Sequence, residues 1–208
     1  MSRVRYGSGE GELTPIIVLI LVNFLVYLGV NIAYRFMSID VRSVLHYLAL
    51  PGTYFFQKPE AFLSVPWTIF TYMFTHSDFW HILANMITLY FYGSFLNRIT
   101  GVKTFLSIYF IGGLVAGLFI LLLSSSSDST IGASGAIFAL GGALAVLTPK
   151  LKVFIFPIPV PMPLWVAILI GFLILAIIPG VSWQGHLGGL LTGLAAGWFL
   201  RKRIRVIY

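Results

Sequence analysis

TFLSIYFIGGLVAGLFILLL, residues 104–123, runs for twenty residues without one charged side chain. In helical form, about 20 apolar residues reach across the ~30 Å hydrocarbon core of a bilayer. The run is continuous rather than strictly alternating, so it reads as a helix and not as a strand of a membrane barrel. The rest of the chain agrees: of 208 residues, 59% are hydrophobic and 9% are charged, and the mean hydropathy is +0.97. A soluble fold of this length needs far more charge to cover its surface, so the apolar surplus must face lipid.

Working outward, six such segments appear: Ile16–Tyr34, Phe79–Phe95, Thr104–Leu123, Ser134–Leu147, Pro163–Ile178 and Gly185–Leu200. They predict an all-α polytopic membrane protein, a six-span bundle forming one domain over residues 1–208. Residues 1–14 form a cytoplasmic N-terminal segment and 201–208 a basic cytoplasmic tail. Several spans are short, which is tolerable where protein rather than lipid surrounds their ends. The first span follows Arg3 and Arg5; it is longer than the apolar core of a signal peptide and five spans follow, so it reads as a retained helix. The chain has no cysteine, which removes disulfides, thiolate chemistry and iron–sulfur clusters.

Charge sets the orientation. With six spans, one side carries Arg3, Arg5, Arg98, Lys103, Lys150, Lys152, Arg201, Lys202, Arg203 and Arg205, and the other only Arg35, Arg42 and Lys58. Under the positive-inside rule both termini are cytoplasmic. The net charge of +7 is thus a topology signal and a contact for anionic lipid rather than for nucleic acid. The setting expected is a prokaryotic plasma membrane, with the site described below opening to the external side. The external 1–2 connection, residues 35–78, contains VRSVLHYLAL and PEAFLSVPWTIFTYMFTH. It reads as a loop lying in the interface, anchored by Trp67, Tyr72 and Trp80. IFPIPVPMP, residues 155–163, alternates proline with apolar residues and cannot be helix; it forms the cytoplasmic 4–5 connection.

Spans 2, 4 and 6 run the same way, so their N-terminal ends share one depth. Those ends carry His81 and Asn85, then Ser134 in Gly132–Ala133–Ser134–Gly135, then His186. Polar groups inside a membrane are costly and default to a functional reading. Pro149 ends span 4, which places Ser134 roughly 10 Å beneath the outer boundary of the core. SSSSDST, residues 124–130, then descends as irregular backbone, which is tolerated only where it lines a wet cavity. Gly189, Gly193 and Gly197 recur every fourth residue, a small-residue stripe that lets span 6 approach span 4 closely.

Ser134 becomes a nucleophile only if a base takes its proton, and His186 is the available base. All six acids lie outside the spans; Asp78 reads as the N-cap of span 2, so a Ser–His dyad is inferred. Oxyanion donors would be the Ser134 N–H, His81 and the Asn85 amide. The chemistry suited to this set is amide hydrolysis, with no cofactor and no metal. A metal site built from His46, His76, His81 and His186 lacks a cysteine or an intramembrane carboxylate to complete it.

His81–x–x–x–Asn85, Gly132–x–Ser134–Gly135 and Gly185–His186–x–x–Gly189, in that order on six spans, resemble the rhomboid family of intramembrane serine proteases. The likeness runs from about Trp67 to Gly197. It implies Ser134 as nucleophile, His186 as base, His81 and Asn85 as oxyanion donors, and single-span membrane proteins as substrates. Gly132, Gly135, Phe138 and Trp67 would support the site or the substrate. The 1–2 loop would embed in the outer leaflet, the PGVSWQ loop would cap the site, and span 5 would border the entry route. Where many relatives have Trp-Arg, this chain has Trp67–Thr68; where many have tyrosine, Phe138 keeps the ring without the hydroxyl. His76 matches a histidine of relatives and is expected to be a structural hydrogen bonder. Two other readings stay open: a non-proteolytic member that escorts membrane clients, and a small transporter with a polar midplane cluster.

Overall fold

The computed structural model describes residues 10–37, 39–52, 58–124, 129–155 and 158–202. Arg3, Arg5, Arg203 and Arg205, together with 125–128 of the serine-rich stretch, lie outside them. The fold is mostly helical, and each of the six apolar segments is a helix: α1 (Glu10–Phe36), α5 (Phe79–Thr100), α6 (Val102–Leu123), α7 (Ser134–Leu147), α8 (Leu164–Ala176) and α9 (Trp183–Leu200). Between α1 and α5 lie three short helices, α2 (Val41–Leu48), α3 (Pro59–Leu63) and α4 (Thr68–Thr71), and a 3₁₀ turn at Tyr72–Phe74. The stretches Leu13–Phe36 and Val102–Leu123 are long and apolar enough to cross a membrane. On α1, Ile16 and Leu19 are buried while Leu21, Leu25, Leu28 and Ile32 are exposed. An apolar face of that extent is stable against lipid and unstable in water.

The core forms around α7. Ten of its fourteen residues are buried, so it is apolar on every side and needs protein rather than lipid around it. That accounts for its shortness. On one side, α9 lies against it with backbone touching backbone. A Cβ on Gly189 would collide with the Gly135 carbonyl oxygen, and one on Gly193 with the Ala139 carbonyl oxygen. On another side is α6, where a Cβ on Gly112 would strike the Ala139 side chain. The turn between α5 and α6 is a single residue, Gly101, at φ +83°, whose N–H donates to the Asn97 carbonyl. Only glycine takes that left-handed conformation without steric cost.

One element departs from an all-α fold. Lys152–Ile155 (β1) and Ile158–Pro163 (β2) pair antiparallel, with Lys152 opposite Pro163 and Val153 opposite Met162. The prolines that forbid a helix permit this hairpin because of their register. The Leu164 N–H donates to the Leu151 carbonyl at 2.8 Å, which makes Lys152–Pro163 a pair whose own amide positions face outward. Proline is tolerated where no ladder bond is required of it.

The 1–2 connection is tied to the core rather than merely resting beside it. Leu50 and Thr130 form an isolated β-bridge, with Leu50 N to Thr130 O at 2.9 Å and Thr130 N to Leu50 O at 2.8 Å. Tyr72 is not an interfacial anchor: it is 2% exposed, and its hydroxyl donates to the Gly113 carbonyl of α6 at 2.7 Å. Its ring fills space that glycines on α6 leave open, as a Cβ on Gly117 would come within 3.2 Å of it. Trp80 and Trp67 are exposed as expected for interfacial rings, at 74% and 49%.

Candidate active site

The N-terminal ends of α5, α7 and α9 meet at one cavity of about 740 Å³, lined by His81, Asn85, Gly132, Ser134, Phe138 and His186 among others. Ser134 opens α7, and no side chain caps that end, so its first-turn amides and the positive end of the helix dipole face the cavity. His186 lies one turn into α9, whose N-cap Ser182 accepts from the Gly185 N–H. The glycine contact between α7 and α9 brings the two side chains together: His186 Nε2 is 2.8 Å from Ser134 Oγ. His186 is 5% exposed, and its Nδ1 has no hydrogen-bond partner among the described residues. Phe138, one turn beyond Ser134, sets its ring 4.6 Å from the His186 ring at an interplanar angle of 35°. That tilted ring contact limits rotation of the imidazole and needs no hydroxyl. A hydroxyl and an imidazole at this distance can exchange a proton, which is the first requirement of acyl transfer.

The third element brings His81 and Asn85. Asp78 is the N-cap of α5, as the sequence indicates: its Oδ1 accepts from the His81 N–H at 3.0 Å. Asn85 Nδ2 donates to the His81 carbonyl at 2.8 Å, leaving its second amide hydrogen for the cavity. Gly132 is required on two counts. Its φ of +123° suits glycine, and a Cβ there would lie 2.8 Å from His81 Nε2 and 3.8 Å from Ser134 Oγ. Its N–H donates to the Tyr72 carbonyl at 2.9 Å, so the buried tyrosine sets the backbone just before the serine. Gly135 packs against α6 and α9, where a Cβ would come within 2.6 Å of the Ala116 side chain.

Two expectations change. Trp67 does not line the cavity; its indole N–H donates to the Tyr47 carbonyl at 2.9 Å, joining α4 to α2. His76 makes no hydrogen bond of ordinary geometry through either ring nitrogen among the described residues, and its polar interaction is with the Phe74 backbone. It is a buried neutral ring set edge-on to His81, with centroids 4.9 Å apart. Burial first, and then the neighbouring His81, pushes its pKa down from 6.5 to about 3. The unfolded chain therefore binds a proton near pH 6.5 that the folded chain refuses until about pH 3. Stability is full above that window and drains as pH falls through it. Thermal unfolding of detergent-solubilised protein should show this acid slope, and His76→Leu should flatten it; equal slopes in both proteins would refute the burial argument. Sequence reasoning passed over Ser77 and the buried role of Tyr72. A Ser-Asp pair placed four and three residues before a histidine at a helix start was the available signal for the first.

The Rhomboid domain family matches residues 64–203. "Rhomboid protein 1, mitochondrial" of Saccharomyces cerevisiae is 30% identical over 189 residues, covering 84% of this chain and 54% of that protein. "RHOMBOID-like protein 9, chloroplastic" of Arabidopsis thaliana is 34% identical over 135 residues, 64% of this chain and 31% of that protein. "Rhomboid-like protease 3" of Toxoplasma gondii is 30% identical over 142 residues, 66% of this chain and 53% of that protein. The chain belongs to the rhomboid family, which includes a named protease. It spans about half the length of the yeast and Toxoplasma relatives and less of the Arabidopsis one. Similarity to mitochondrial and chloroplastic proteins of eukaryotes overturns the expected prokaryotic plasma membrane. Hydropathy and charge asymmetry read depth and side within a bilayer, and they look alike whichever bilayer it is.

Proposed function

We propose that this chain is an intramembrane serine endopeptidase of an organellar membrane, hydrolysing peptide bonds in or beside the membrane-spanning helices of single-span proteins. The observation that carries the reading is the 2.8 Å approach of His186 Nε2 to Ser134 Oγ, inside a cavity entered by three helix N-termini. His186 takes the hydroxyl proton as Ser134 Oγ bonds to the scissile carbonyl carbon. The oxyanion that forms accepts hydrogen bonds from the Ser134 N–H, the free Asn85 amide hydrogen and His81. Collapse breaks the C–N bond, and His186 returns its proton to the leaving amine. Water then repeats the sequence on the acyl-enzyme, freeing Ser134. With no acidic partner on Nδ1 among the described residues, the pair works as a dyad, and the Phe138 ring and the α7–α9 packing hold the imidazole in place. Gly132 and Gly135 keep the approach to the serine open. Six spans would carry this site at the outer ends of α5, α7 and α9, in one membrane domain.

A fluorophosphonate probe phosphonylates only an activated serine, so it tests the reading without knowledge of the natural client. Folded, detergent-solubilised protein should be labelled, and peptide mapping should place the adduct on Ser134. Folded protein that takes up no probe, or takes it up elsewhere, would overturn the assignment.

A further inference from the structure

Ser77 has no part in the chemistry above, yet its hydroxyl joins His81, which does, to the capping carboxylate of Asp78. Ser77 Oγ is 2.7 Å from Asp78 Oδ2 and 3.1 Å from His81 Nδ1. A hydroxyl has one proton to give. Asp78 is held below the usual carboxylate range, first by this bond and next by the His81 N–H, so it is an ionised group that only accepts. The Ser77 proton therefore goes to Asp78, and what Ser77 offers His81 is a lone pair. That lone pair selects the ring form with hydrogen on Nδ1. In a neutral ring the other nitrogen, Nε2, is then bare, and Nε2 is the atom that faces Gly132 beside the serine.

We propose that Ser77 and Asp78 are positioning residues that dictate the protonation pattern of His81. They keep hydrogen on Nδ1, so that Nε2 donates to the oxyanion only when the ring carries both protons. The inference rests on the protease reading for its consequence in the reaction, but not for the proton arrangement itself. Around His81 stand Ser77 and Asp78 at the start of its own helix, His76 in the preceding turn, and His186 across the cavity on α9. Asp78 is the one carboxylate lining the cavity among the described residues, and among them no other negative group stands there to balance a charged His81.

Asp78→Asn inverts the arrangement by a chain of necessities. The Asn oxygen must keep the cap by accepting from the His81 N–H, which turns its NH₂ toward Ser77. Ser77 then accepts from that NH₂ and points its own hydrogen at His81 Nδ1. The neutral ring moves its proton to Nε2 and donates into the cavity without being charged. Asparagine caps a helix as well as aspartate does, so the fold is retained.

The test is ¹⁵N spectroscopy of the full chain labelled at histidine, at a pH where His81 is neutral, with His81 assigned by the signal lost in His81→Gln. In the unaltered protein Nδ1 should resonate as a protonated nitrogen and Nε2 as a bare one. In Asp78→Asn the two should exchange positions, and Ser77→Thr, which keeps the hydroxyl, should retain the original pattern. The pH profile of cleavage supplies the second readout. The unaltered enzyme should lose activity on the alkaline side as His81 sheds its second proton, and Asp78→Asn should move that limb upward. A neutral His81 protonated on Nε2 in the unaltered protein, or resonances indifferent to Asp78→Asn, would overturn the proposal. Resonances that exchange in a protein unable to cleave would sink the protease reading and leave the proton arrangement standing. A cleaving enzyme whose resonances do not move would do the reverse.

Discussion

Ser134→Ala should lower cleavage of a single-span substrate by on the order of 10⁴-fold or more, the scale seen when a serine nucleophile acting with its base is removed. The protein should remain folded. The substitution deletes one oxygen whose hydrogen bond is to His186, a cost of about 1 kcal/mol, and alanine suits the first turn of α7. His186→Ala should be comparably inactive because the serine then keeps its proton. Its fold will suffer more, since the Phe138 ring loses the surface it rests on. Asn85→Ala should retain part of the activity, because the Ser134 N–H and His81 remain as donors. The comparison to make is purified variants on one substrate, with thermal unfolding alongside. Ser134→Ala protein that cleaves at the original rate would mean that the hydroxyl is not the nucleophile.

Gly189→Ala should be severely damaging for the addition of a single methyl group. The new Cβ would fall on the Gly135 carbonyl oxygen. That atom belongs to backbone, so no rotamer change relieves the collision, and α7 and α9 must separate. Overpacking of this kind costs about 1–3 kcal/mol where side chains can yield, and the upper end or beyond applies here. The same displacement pulls His186 from Ser134, so activity should fall with stability. Gly29→Ala on α1 is the control. Nothing lies within 4 Å of its Cβ position, and replacing a helical glycine relieves about 1 kcal/mol of propensity penalty. Thermal unfolding of both variants decides the matter; a Gly189→Ala protein as stable as the Gly29→Ala protein would contradict the packing described.

Most of the helical framework was legible because apolar runs bounded by proline, glycine or charge leave little choice. The segment Ser134–Leu147 is bounded in the structure as in the sequence, with Pro149 ending it and irregular chain preceding it. The convergence of Ser134 and His186 was legible for a different reason. The stripe Gly189, Gly193 and Gly197 has no use in a helix exposed to lipid, and its use here is contact with α7. Other features depend on partners that are distant in sequence. Tyr72 sits among residues that suit an interface, and its burial follows from glycines on α6 some forty positions later. The prolines of 155–163 rule out a helix, and the hairpin's second strand, Ile158–Pro163, lies within that stretch. Its pairing depends on which amides face outward, a matter of register that alternating prolines do not announce. Trp67 was placed near the substrate by resemblance; in this chain it holds two short helices together.

The bridge between Leu50 and Thr130 has a consequence for how the molecule breathes. Each residue's N–H donates to the other's carbonyl, so parting the two segments breaks two hydrogen bonds at once. Four residues after Thr130 comes Ser134, and twenty-two after Leu50 comes Tyr72, which holds Gly132 from the other side. Local opening of the chain just before α7 is thereby a cooperative event shared with the long connection. The segment that presents the serine cannot fray alone.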